Sequence, residues 1–370
     1  MEDDRTRTII MDNGTALSKV GYAGEDLPRI IIPTFPTGPI KAIPSKISQA
    51  DEKKVIRKKP LIRKDFTQGS SLLERGMIKD WSAMERFWEQ IFYNLLKIDP
   101  STHPLILTDT PLNPEANKVK MAEIMFEKFN VPSLYIAMQA ALSLYASGIT
   151  TGCVVDIGEG VTKIVPISEG YTLTHAIQLM DVAGQDITRY LLRLLRQAGY
   201  TLTTAAERKC AIDIKENMCY IASDLKKETE KFNNNLRLEK NYKSPDGEDI
   251  KLISEIFLAP ECLFAPILIG KEILPLHEFI IESISKCDID FQGTLYNNII
   301  LSGGSSKFPG IKDRLKREIT KSIPKSIEVN IIAPRQRELS TWMGGSIFGS
   351  LPSFHKLAIT KEEYNKNKLM

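Results

Sequence analysis

A short motif that occurs twice constrains the fold of this 370-residue chain more than any other feature. The stretches Thr8–Gly21 and Gly152–Pro166 each contain an apolar run, an aspartate, a turn with glycine and a second apolar run. Both fit the pattern Asp-x-Gly-x-x-x-x-Lys, as Asp12, Gly14 and Lys19 and as Asp156, Gly158 and Lys163. Apolar runs joined by a glycine turn are typical of antiparallel strands. The motif therefore predicts two β-hairpins, and its repetition predicts two related halves that face one another.

Hairpins of this kind are suited to binding phosphate. Glycines let successive backbone N–H groups converge on an anion, and a carboxylate beside them can hold a hard cation through its water shell. A single hairpin of this sort is usually no more than a turn, but two copies favour a pair of sites that grip a polyphosphate and its metal. We expect Asp12 and Asp156 to contact the metal, mainly through water.

The stretch Asn297–Gly310 predicts a third part of the same site. An apolar strand ends at Ser302-Gly303-Gly304-Ser305, and a helix begins near Pro309. A ligand can approach the backbone closely at the glycines, and an anion can lie at the start of the helix. With the two hairpins this stretch completes a predicted nucleotide cleft, in which the Gly-Gly turn is flat enough for a base or ribose.

Between the hairpins, strand patterns alternate with helix patterns. Asp80–Leu96 has apolar residues at helical spacing, and a short strand, PLILTDTP, follows. Asn113 is expected to cap a helix that runs to Phe129, with Pro114 at its first position. The next strand runs through Gln139 into an alanine-rich helix, which predicts Gln139 in a strand-to-helix turn. This alternation predicts an α/β fold.

The second half of the chain predicts more helices and two loops. A turn at Ala183-Gly184 precedes one helix, and another spans Thr204–Leu225, with Lys215 and Glu216 expected on a solvated face. Lys226–Asp249 is polar and is predicted to be a mobile loop. Phe264–Leu276 is an apolar loop between prolines, and the sequence leaves open whether it is packed or an exposed contact patch.

The composition is that of an ordinary globular chain with two or three core-bearing units. It has 42% hydrophobic and 26% charged residues and a net charge of +3. No apolar run reaches the ~18 residues of a membrane helix, and the charged N-terminus differs from a signal peptide, so an intracellular protein is expected. Five separated cysteines without a Cys-x-x-Cys pair predict buried free thiols.

The segment Lys53–Lys64 carries seven basic residues and no acidic one. It is either a solvated face or a docking patch for an acidic partner. No aromatic residues alternate with these bases, so direct nucleic-acid binding is not expected.

At these residues the chain resembles the actin family. The matching segments run in order along nearly the whole chain and include DNGTALSKVGYAG, HPLILTDTPLNPEANK, VVDIGEGVTK, LSGGSSKFPG and STWMGGSI. The resemblance implies the two-lobed fold shared with sugar kinases and chaperone ATPases, with four subdomains around a central cleft for ATP or ADP and Mg²⁺ or Ca²⁺. It implies a first lobe at 1–150 with subdomain 2 at about 34–71, a second lobe at 151–335 with subdomain 4 at about 183–262, and a C-terminal segment, 336–370, that returns to the first lobe.

The resemblance also implies roles for individual residues. Those at positions of the first phosphate loop are Asp12, Gly14, Thr15, Ala16 and Lys19. Those at positions of the second are Asp156, Gly158, Glu159, Gly160 and Val161. Those at positions of the nucleoside pocket are Gly184, Lys215, Glu216, Gly303, Gly304 and Phe308. Gln139 matches the residue that orients the attacking water, in a reaction that depends on positioning and electrostatics.

Some of these positions depart from the actin pattern. Ala16 stands where actin has Gly, Glu159 where it has Asp, and Lys163 where it has the His that helps hold the water. Near the base, Phe308 replaces a Tyr and Glu338 a Lys. We therefore expect ATP to bind and its hydrolysis to be slow or altered.

The surface departs further from actin. Ile40–Gly69 retains almost none of the DNase-binding loop, and the C-terminal residues Asn365–Met370 stop short of the usual actin tail, so copolymerisation with ordinary actin is not expected. The favoured function is an ATP-binding cytoskeletal protein of the cytoplasm that is a filament subunit or an assembly scaffold. Its expected partners are copies of itself, other actin-family subunits, and actin-binding or scaffold proteins.

Two other functions remain open. One is a non-polymerising subunit of a larger complex, dynactin-like or, in the nucleus, chromatin-remodelling, in which the nucleotide is structural. The other is a small-molecule kinase of the same fold, which would need a catalytic aspartate facing a substrate pocket. The sequence offers no candidate for that aspartate beyond the metal-side carboxylates.

Overall fold

A computed structural model describes residues 6–35, 61–62, 71–200, 204–234, 239–244, 247 and 249–368. The predicted basic segment Lys53–Lys64 lies outside these residues, apart from the two that form β4. The strands are β1 (Ile9–Asn13), β2 (Leu17–Tyr22), β3 (Ile30–Pro33), β4 (Leu61–Ile62), β5 (Leu73–Glu74), β6 (Met77–Ile78), β7 (Leu105–Asp109), β8 (Ser133–Met138), β9 (Gly152–Ile157), β10 (Thr162–Ser168), β11 (Tyr171–Thr172), β12 (Gln178–Met180), β13 (Lys240–Lys243), β14 (Asp249–Leu252), β15 (Ile299–Ser302), β16 (Ile331–Ile332) and β17 (Ile359–Thr360).

The α-helices are α1 (Trp81–Glu89), α2 (Glu115–Glu123), α3 (Gln139–Tyr145), α4 (Gly184–Gln197), α5 (Ala205–Asn217), α6 (Leu225–Asn234), α7 (Glu255–Glu261), α8 (Leu276–Ser285), α9 (Ile289–Asn297), α10 (Ile311–Ser322), α11 (Ser340–Gly349), α12 (Phe354–Leu357) and α13 (Lys361–Lys368). Helices α1 and α2 continue as π-helical turns over Gln90–Leu96 and Ile124–Lys128. Short 3₁₀ turns span Pro100–Thr102, Thr174–Ala176, Pro266–Ile269 and Gly304–Lys307.

The chain divides into two compact units. Unit 1 is Met1–Gly148 with Leu339–Met370, and unit 2 is Ile149–Glu338. The C-terminal segment joins unit 1 through buried contacts, since the indole N–H of Trp342 donates to the carbonyl oxygen of Ile10 at 3.3 Å.

Unit 1 is built on one mixed sheet. Within the described residues its strand order is β17-β8-β7-β1-β2-β3-β4, with β7 parallel and β2 antiparallel to β1. Alternate residues of a strand face opposite sides of a sheet. Ile9 therefore shares a buried cluster with Trp88 of α1, whereas Ile10 shares one with Trp342 of α11. Helices cover both faces, so β1 is buried throughout.

Unit 2 repeats this construction around a second hairpin. Its strand order is β11-β10-β9-β15-β16, with β12 also paired to β10. β10 is antiparallel and β15 parallel to β9, as β2 and β7 are to β1. Cys153, Val155 and Ile157 of β9 lie in the main core of the unit. The two predicted hairpins are thus confirmed, each as the start of a sheet of the same order.

The predicted loop at Lys226–Asp249 is wrong, because part of it is helical. α6 begins at Leu225, where Asp224 accepts a hydrogen bond from the backbone N–H of Lys227 at 3.2 Å. Tyr220 donates its hydroxyl to Glu228 of this helix at 2.8 Å. Only two of the ten residues of α6 are apolar, which is too few for hydrophobic periodicity to predict this helix.

Two predicted helix boundaries also differ. The helix expected over Thr204–Leu225 ends at Asn217, because the N–H groups of Tyr220 and Ile221 bond to the carbonyls of Ile256 and Pro309 instead. The cap of α2 is Pro114 and not Asn113. The side chain of Asn113 donates to Asp109 at 2.7 Å, which takes it away from the capping position.

The apolar loop Phe264–Leu276 is both packed and exposed. Phe264 and Leu276 are buried, whereas Ile267 is 64% exposed. The ammonium of Lys271 donates to the carbonyl of Asp181, and the guanidinium of Arg193 donates to that of Leu268. The loop is therefore anchored with apolar side chains at its surface.

Two composition-based expectations can be compared with the structure. All five cysteines are free and buried, as predicted. Across the described ranges, no helix has both the length and the apolar character needed to cross a membrane.

Candidate functional site

The hairpin of unit 1 sets an aspartate against a lysine. Asp12 and Lys19 are direct partners across β1 and β2, so their side chains share a face of the sheet. The Asp12 carboxylate is 2% exposed, and its Oδ2 lies 2.9 Å from Nζ of Lys19. A buried charge needs such a partner, so the pairing follows from the hairpin register that the motif predicted.

Two further side chains orient Asp12. Thr108, at the end of the parallel strand β7, donates its hydroxyl to Oδ1 of Asp12 at 3.0 Å. Gln139, the first residue of α3, donates its amide to the same oxygen at 3.2 Å and to the carbonyl of Asn13 at 3.3 Å. The predicted position of Gln139 after a strand is confirmed. Thr108 was missed, although its place at the end of a strand beside β1 was a usable signal.

A small pocket opens beside these residues. It is lined by Asn13, Leu73, Gly76, Ile78, Thr108, Asp109, Thr110, Asn113, Met121 and Gln139. Asp109 accepts hydrogen bonds from the N–H of Thr110 at 2.8 Å and from Asn113, which fixes the loop after β7. Polar groups from β1, β7 and α3 thus meet at the carboxyl ends of parallel strands, where α/β sheets bind ligands.

The turn of the first hairpin is held through its backbone. The N–H of Gly14 donates to the carbonyl of Leu17 at 3.1 Å, and the carbonyl of Ala16 accepts from the N–H of Thr34 at 3.0 Å. Ser71 donates its hydroxyl to the carbonyl of Thr15 at 2.6 Å. The turn is therefore held by one bond within the hairpin and by two neighbouring segments, at Thr34 and Ser71.

The hairpin of unit 2 has the same cross-strand pair. Asp156 of β9 faces Lys163 of β10, and Nζ of Lys163 lies 3.5 Å from Oδ2 of Asp156. Lys163 is 6% exposed. The turn closes with a hydrogen bond from the N–H of Gly158 to the carbonyl of Val161 at 3.3 Å. Both copies of the motif therefore place an ammonium beside the hairpin carboxylate.

Lys215 lies at this hairpin and not on a solvated face. It is 4% exposed and donates to Glu159 at 2.9 Å and to the carbonyl of Gly184 at 3.2 Å. The N–H of Gly184 in turn donates to the carbonyl of Gly158 at 3.0 Å. Only Glu216 of the predicted charged pair is exposed. The expectation of a solvated face was wrong for Lys215, because its partner is distant in sequence.

The glycine turn after β15 packs against the hairpin of unit 2. Gly303 has a φ of 85°, and a Cβ there would contact the carbonyl oxygen of Ile157 and lie 2.6 Å from Oδ1 of Asp156. Only glycine combines that conformation with so close an approach. The hydroxyl of Ser305 donates to the carbonyl of Gly158 at 2.9 Å, a contact that sequence reasoning missed.

The remaining predicted nucleoside residues differ in their surroundings. Among the described residues, no atom beyond the chain neighbours lies within 4 Å of where a Cβ of Gly304 would be, which leaves open space on that side of the backbone. Phe308 is buried in the core of unit 2. In the second hairpin, the backbone carbonyl of Gly160 accepts a hydrogen bond from the side-chain amide of Gln185 at 3.3 Å. Gly304 thus leaves room for a ligand, whereas Phe308 contributes packing.

The donor set fits a cation that keeps most of its water. No group of three or more His, Cys, Asp or Glu side chains converges anywhere in the described ranges, so these residues form no protein cage for a metal. Mg²⁺ in nucleotide sites is commonly held by one or two carboxylates, water and phosphate oxygens. Asp12 in unit 1 and Asp156 in unit 2 are each a hairpin carboxylate of the kind that would provide such a contact.

Two mixed sheets of the same order, each beginning with the same acidic hairpin, define an actin-like ATPase fold of the α/β class. A family model described as Actin matches residues 3–369. The match spans nearly the whole chain, which therefore belongs to the actin family, as the sequence motifs indicated. Proteins of this family typically bind a nucleotide and a divalent cation.

Proposed function

We propose that this chain binds ATP or ADP together with Mg²⁺ or Ca²⁺, and that the glycine hairpins are its phosphate-contacting elements. The observation that supports this most is the buried Asp–Lys pair that each glycine hairpin carries. Lysine offsets phosphate charge, and each aspartate is suited to a hydrated cation. In the same proposal, the backbone at Gly303 and Gly304 contacts the nucleoside. The ion pair of Lys215 with Glu159 holds the turn of the second hairpin beside that nucleoside.

Replacing Lys19 by methionine is expected to weaken ATP binding by about tenfold or more. The change removes an ammonium that the first hairpin holds at its carboxylate, and one unit of charge near phosphate is worth at least ~1.4 kcal/mol. Titration calorimetry of the full chain with ATP and Mg²⁺ measures the effect. Lys79→Met is the matched control, because Lys79 pairs with Glu74 at an exposed position of the same unit. Equal affinities for the two variants, or no ATP binding by the unaltered chain, would contradict the proposal.

Hydrolysis is proposed to be slower than in conventional actin. The amide nitrogen of Gln139 lies near Asp12, Asn13 and Thr108, which holds this side chain at the first hairpin, where we propose that it orients the water. Lys163 occupies the position where actin has a histidine for that water. Positioning a water depends more strongly on single groups than binding does.

Gln139→Ala is expected to lower the single-turnover rate of phosphate release by about tenfold while changing ATP affinity by less than about threefold. The reason is that Gln139 acts on the water and not on the nucleotide. Rapid mixing with a phosphate sensor gives the rate, and Gln197→Ala, at an exposed position of α4, is the control. A release rate equal to that of actin, or an affinity that falls as much as the rate, would contradict this assignment.

For assembly we propose a filament subunit or scaffold in the cytoskeleton, with copies of itself or other actin-family proteins as partners. The exposed side chain of Ile267 on its anchored loop supports a contact role. A non-polymerising subunit of a larger complex, cytoplasmic or nuclear, is the other candidate. High-speed sedimentation with Mg²⁺ and ATP separates them, since only the filament subunit pellets.

A further inference from the structure

The side chain of Lys163 occupies an unusual place for a lysine. It lies on β10, which pairs with β9 on one side and β12 on the other, opposite Asp156 and Leu179 respectively. Only 6% of the residue is exposed. Lysine is seldom buried to this extent, because removing an ammonium from water costs free energy unless an opposite charge compensates.

Asp156 supplies that compensation and is itself fixed. Its Oδ2 lies 3.5 Å from Nζ of Lys163, and its other oxygen faces the backbone of Gly303. The carboxylate therefore lies between the ammonium and the glycine turn. A lysine in the interior of a sheet cannot easily swing its ammonium into solvent, so the positive charge stays at the hairpin.

The ion pairs around this hairpin balance in charge. Two carboxylates, Asp156 and Glu159, are paired with two ammonium groups, Lys163 and Lys215. A carboxylate already paired with an ammonium attracts a divalent cation less than an unpaired one does. An ammonium beside a phosphate site also offsets phosphate charge, which is one of the roles a metal ion has there.

We propose that Lys163 is a built-in cation of the second hairpin, which makes nucleotide binding by this chain less dependent on a divalent cation. The inference rests on the proposed function, since it concerns how the same site balances phosphate charge. It assigns a specific role to a residue that the hairpin motif singled out. The charge of Lys163 is the property that matters.

The experiment compares ATP affinity in excess EDTA with ATP affinity in Mg²⁺, by calorimetry at pH 8. For the unaltered chain we expect the two dissociation constants to differ by about tenfold or less. In Lys163→Gln and Lys163→His, both neutral at this pH, the ratio should rise at least about tenfold, because the metal must then also offset the phosphate charge that Lys163 offset. Lys163→Arg, which keeps the charge, should leave the ratio within about threefold of the ratio for the unaltered chain.

Lys271→Gln is the matched control, because Lys271 is also ion-paired in unit 2 but with Asp181 and Asp186. For this variant, the ratio of the ATP dissociation constants in EDTA and in Mg²⁺ should equal that of the unaltered chain. Thermal unfolding of each variant shows whether it is folded, and two neutral replacements of different size guard against a packing effect. An unchanged ratio in the folded neutral variants, or a rise with arginine as large as with glutamine, would overturn the inference. Absence of ATP binding under both conditions in the unaltered chain would instead refute the proposed function.

Discussion

Replacing Gly344 by alanine is expected to lower the free energy of unfolding of unit 1 by about 3 kcal/mol or more. Gly344 lies in α11, which packs against α3. A Cβ at this position would overlap the carbonyl oxygen of Leu142 and lie 2.5 Å from its carbonyl carbon. Backbone atoms cannot move aside as a flexible side chain can, so the two helices must separate.

Circular dichroism during thermal unfolding measures this change. For a unit of this size, the expected loss corresponds to a midpoint about 6–12 °C lower. Gly293→Ala is the matched control, because Gly293 is an exposed residue of α9, and in the described part of the chain a Cβ there would have open space around it. That change should raise stability by about 0.5–1 kcal/mol, since alanine favours a helix over glycine. If Gly344→Ala is as stable as Gly293→Ala, the close packing of α11 on α3 is not as described.

Replacing Arg314 by methionine is expected to destabilise unit 2 by about 3–5 kcal/mol. The guanidinium donates to both oxygens of Glu261, at 2.9 and 3.2 Å, to Glu318 at 2.8 Å and to the carbonyl of Ala222 at 2.8 Å. Glu261 is only 2% exposed. Removing one partner of a buried pair leaves an uncompensated charge, which costs more than the pair itself contributes.

The unfolding free energy that Arg314→Met loses should increase as the pH rises. Burial raises the pKa of Glu261, and the charge and hydrogen bonds of Arg314 oppose that rise. Without Arg314 the pKa rises further, so the folded variant takes up a proton as the pH falls while the unfolded chain does not until about pH 4.5. The difference in unfolding free energy between the variant and the unaltered chain should therefore be larger at pH 8 than at pH 5.

Glu318 does not disturb this comparison. Burial raises its pKa, but hydrogen bonds from Arg317 and Lys321 and the charge of Arg314 outweigh burial and lower the pKa to about 2. The stability that Glu318 contributes is thus present above about pH 4.5 and is lost only as the pH falls toward 2. In the unaltered chain Glu318 therefore gives no slope between pH 5 and 8, and in the variant the hydrogen bonds from Arg317 and Lys321 that lower its pKa remain.

Urea titrations at the two pH values give the free energies. The double variant Arg314→Met with Glu261→Gln should recover part of the loss, since it removes the buried charge as well as its partner. Lys118→Met is the control, because Lys118 pairs with Glu115 at an exposed position and should contribute less than about 0.5 kcal/mol. A loss as small as that of the control, or one that is independent of pH, would show that Glu261 is not held by Arg314 as a buried charge.

The hairpins show what could be predicted from the sequence. The spacing from Asp12 to Lys19, and from Asp156 to Lys163, is short enough that the turn alone sets which residues face each other. The position of Gln139 between a strand and a helix was equally local. The roles of these residues in binding a nucleotide remain proposals, which the expected effects at Lys19, Gln139 and Lys163 test.

The contacts around the hairpins could not be predicted in the same way. Thr108 reaches Asp12 because β7 is parallel to β1, and Lys215 reaches Glu159 because α5 returns to the hairpin of unit 2. Helix α6 was missed because only two of its ten residues, Leu225 and Phe232, are apolar. In each case the partner comes from a separate element, and its approach depends on how sheets and helices pack.

The sequence by itself determined the two acidic hairpins, the glycine turn at Gly303 and the family of the protein, because short-range patterns of apolar, glycine and charged residues specify strands, turns and their register. Only the tertiary structure decided that Asp12 bonds to Thr108 and Gln139, that Lys215 is buried, and that Arg314 holds Glu261. The physical reason is distance along the chain. Pairing between neighbouring strands is fixed by a few residues of turn, whereas contacts between distant residues exist only once the helices and sheets have packed together.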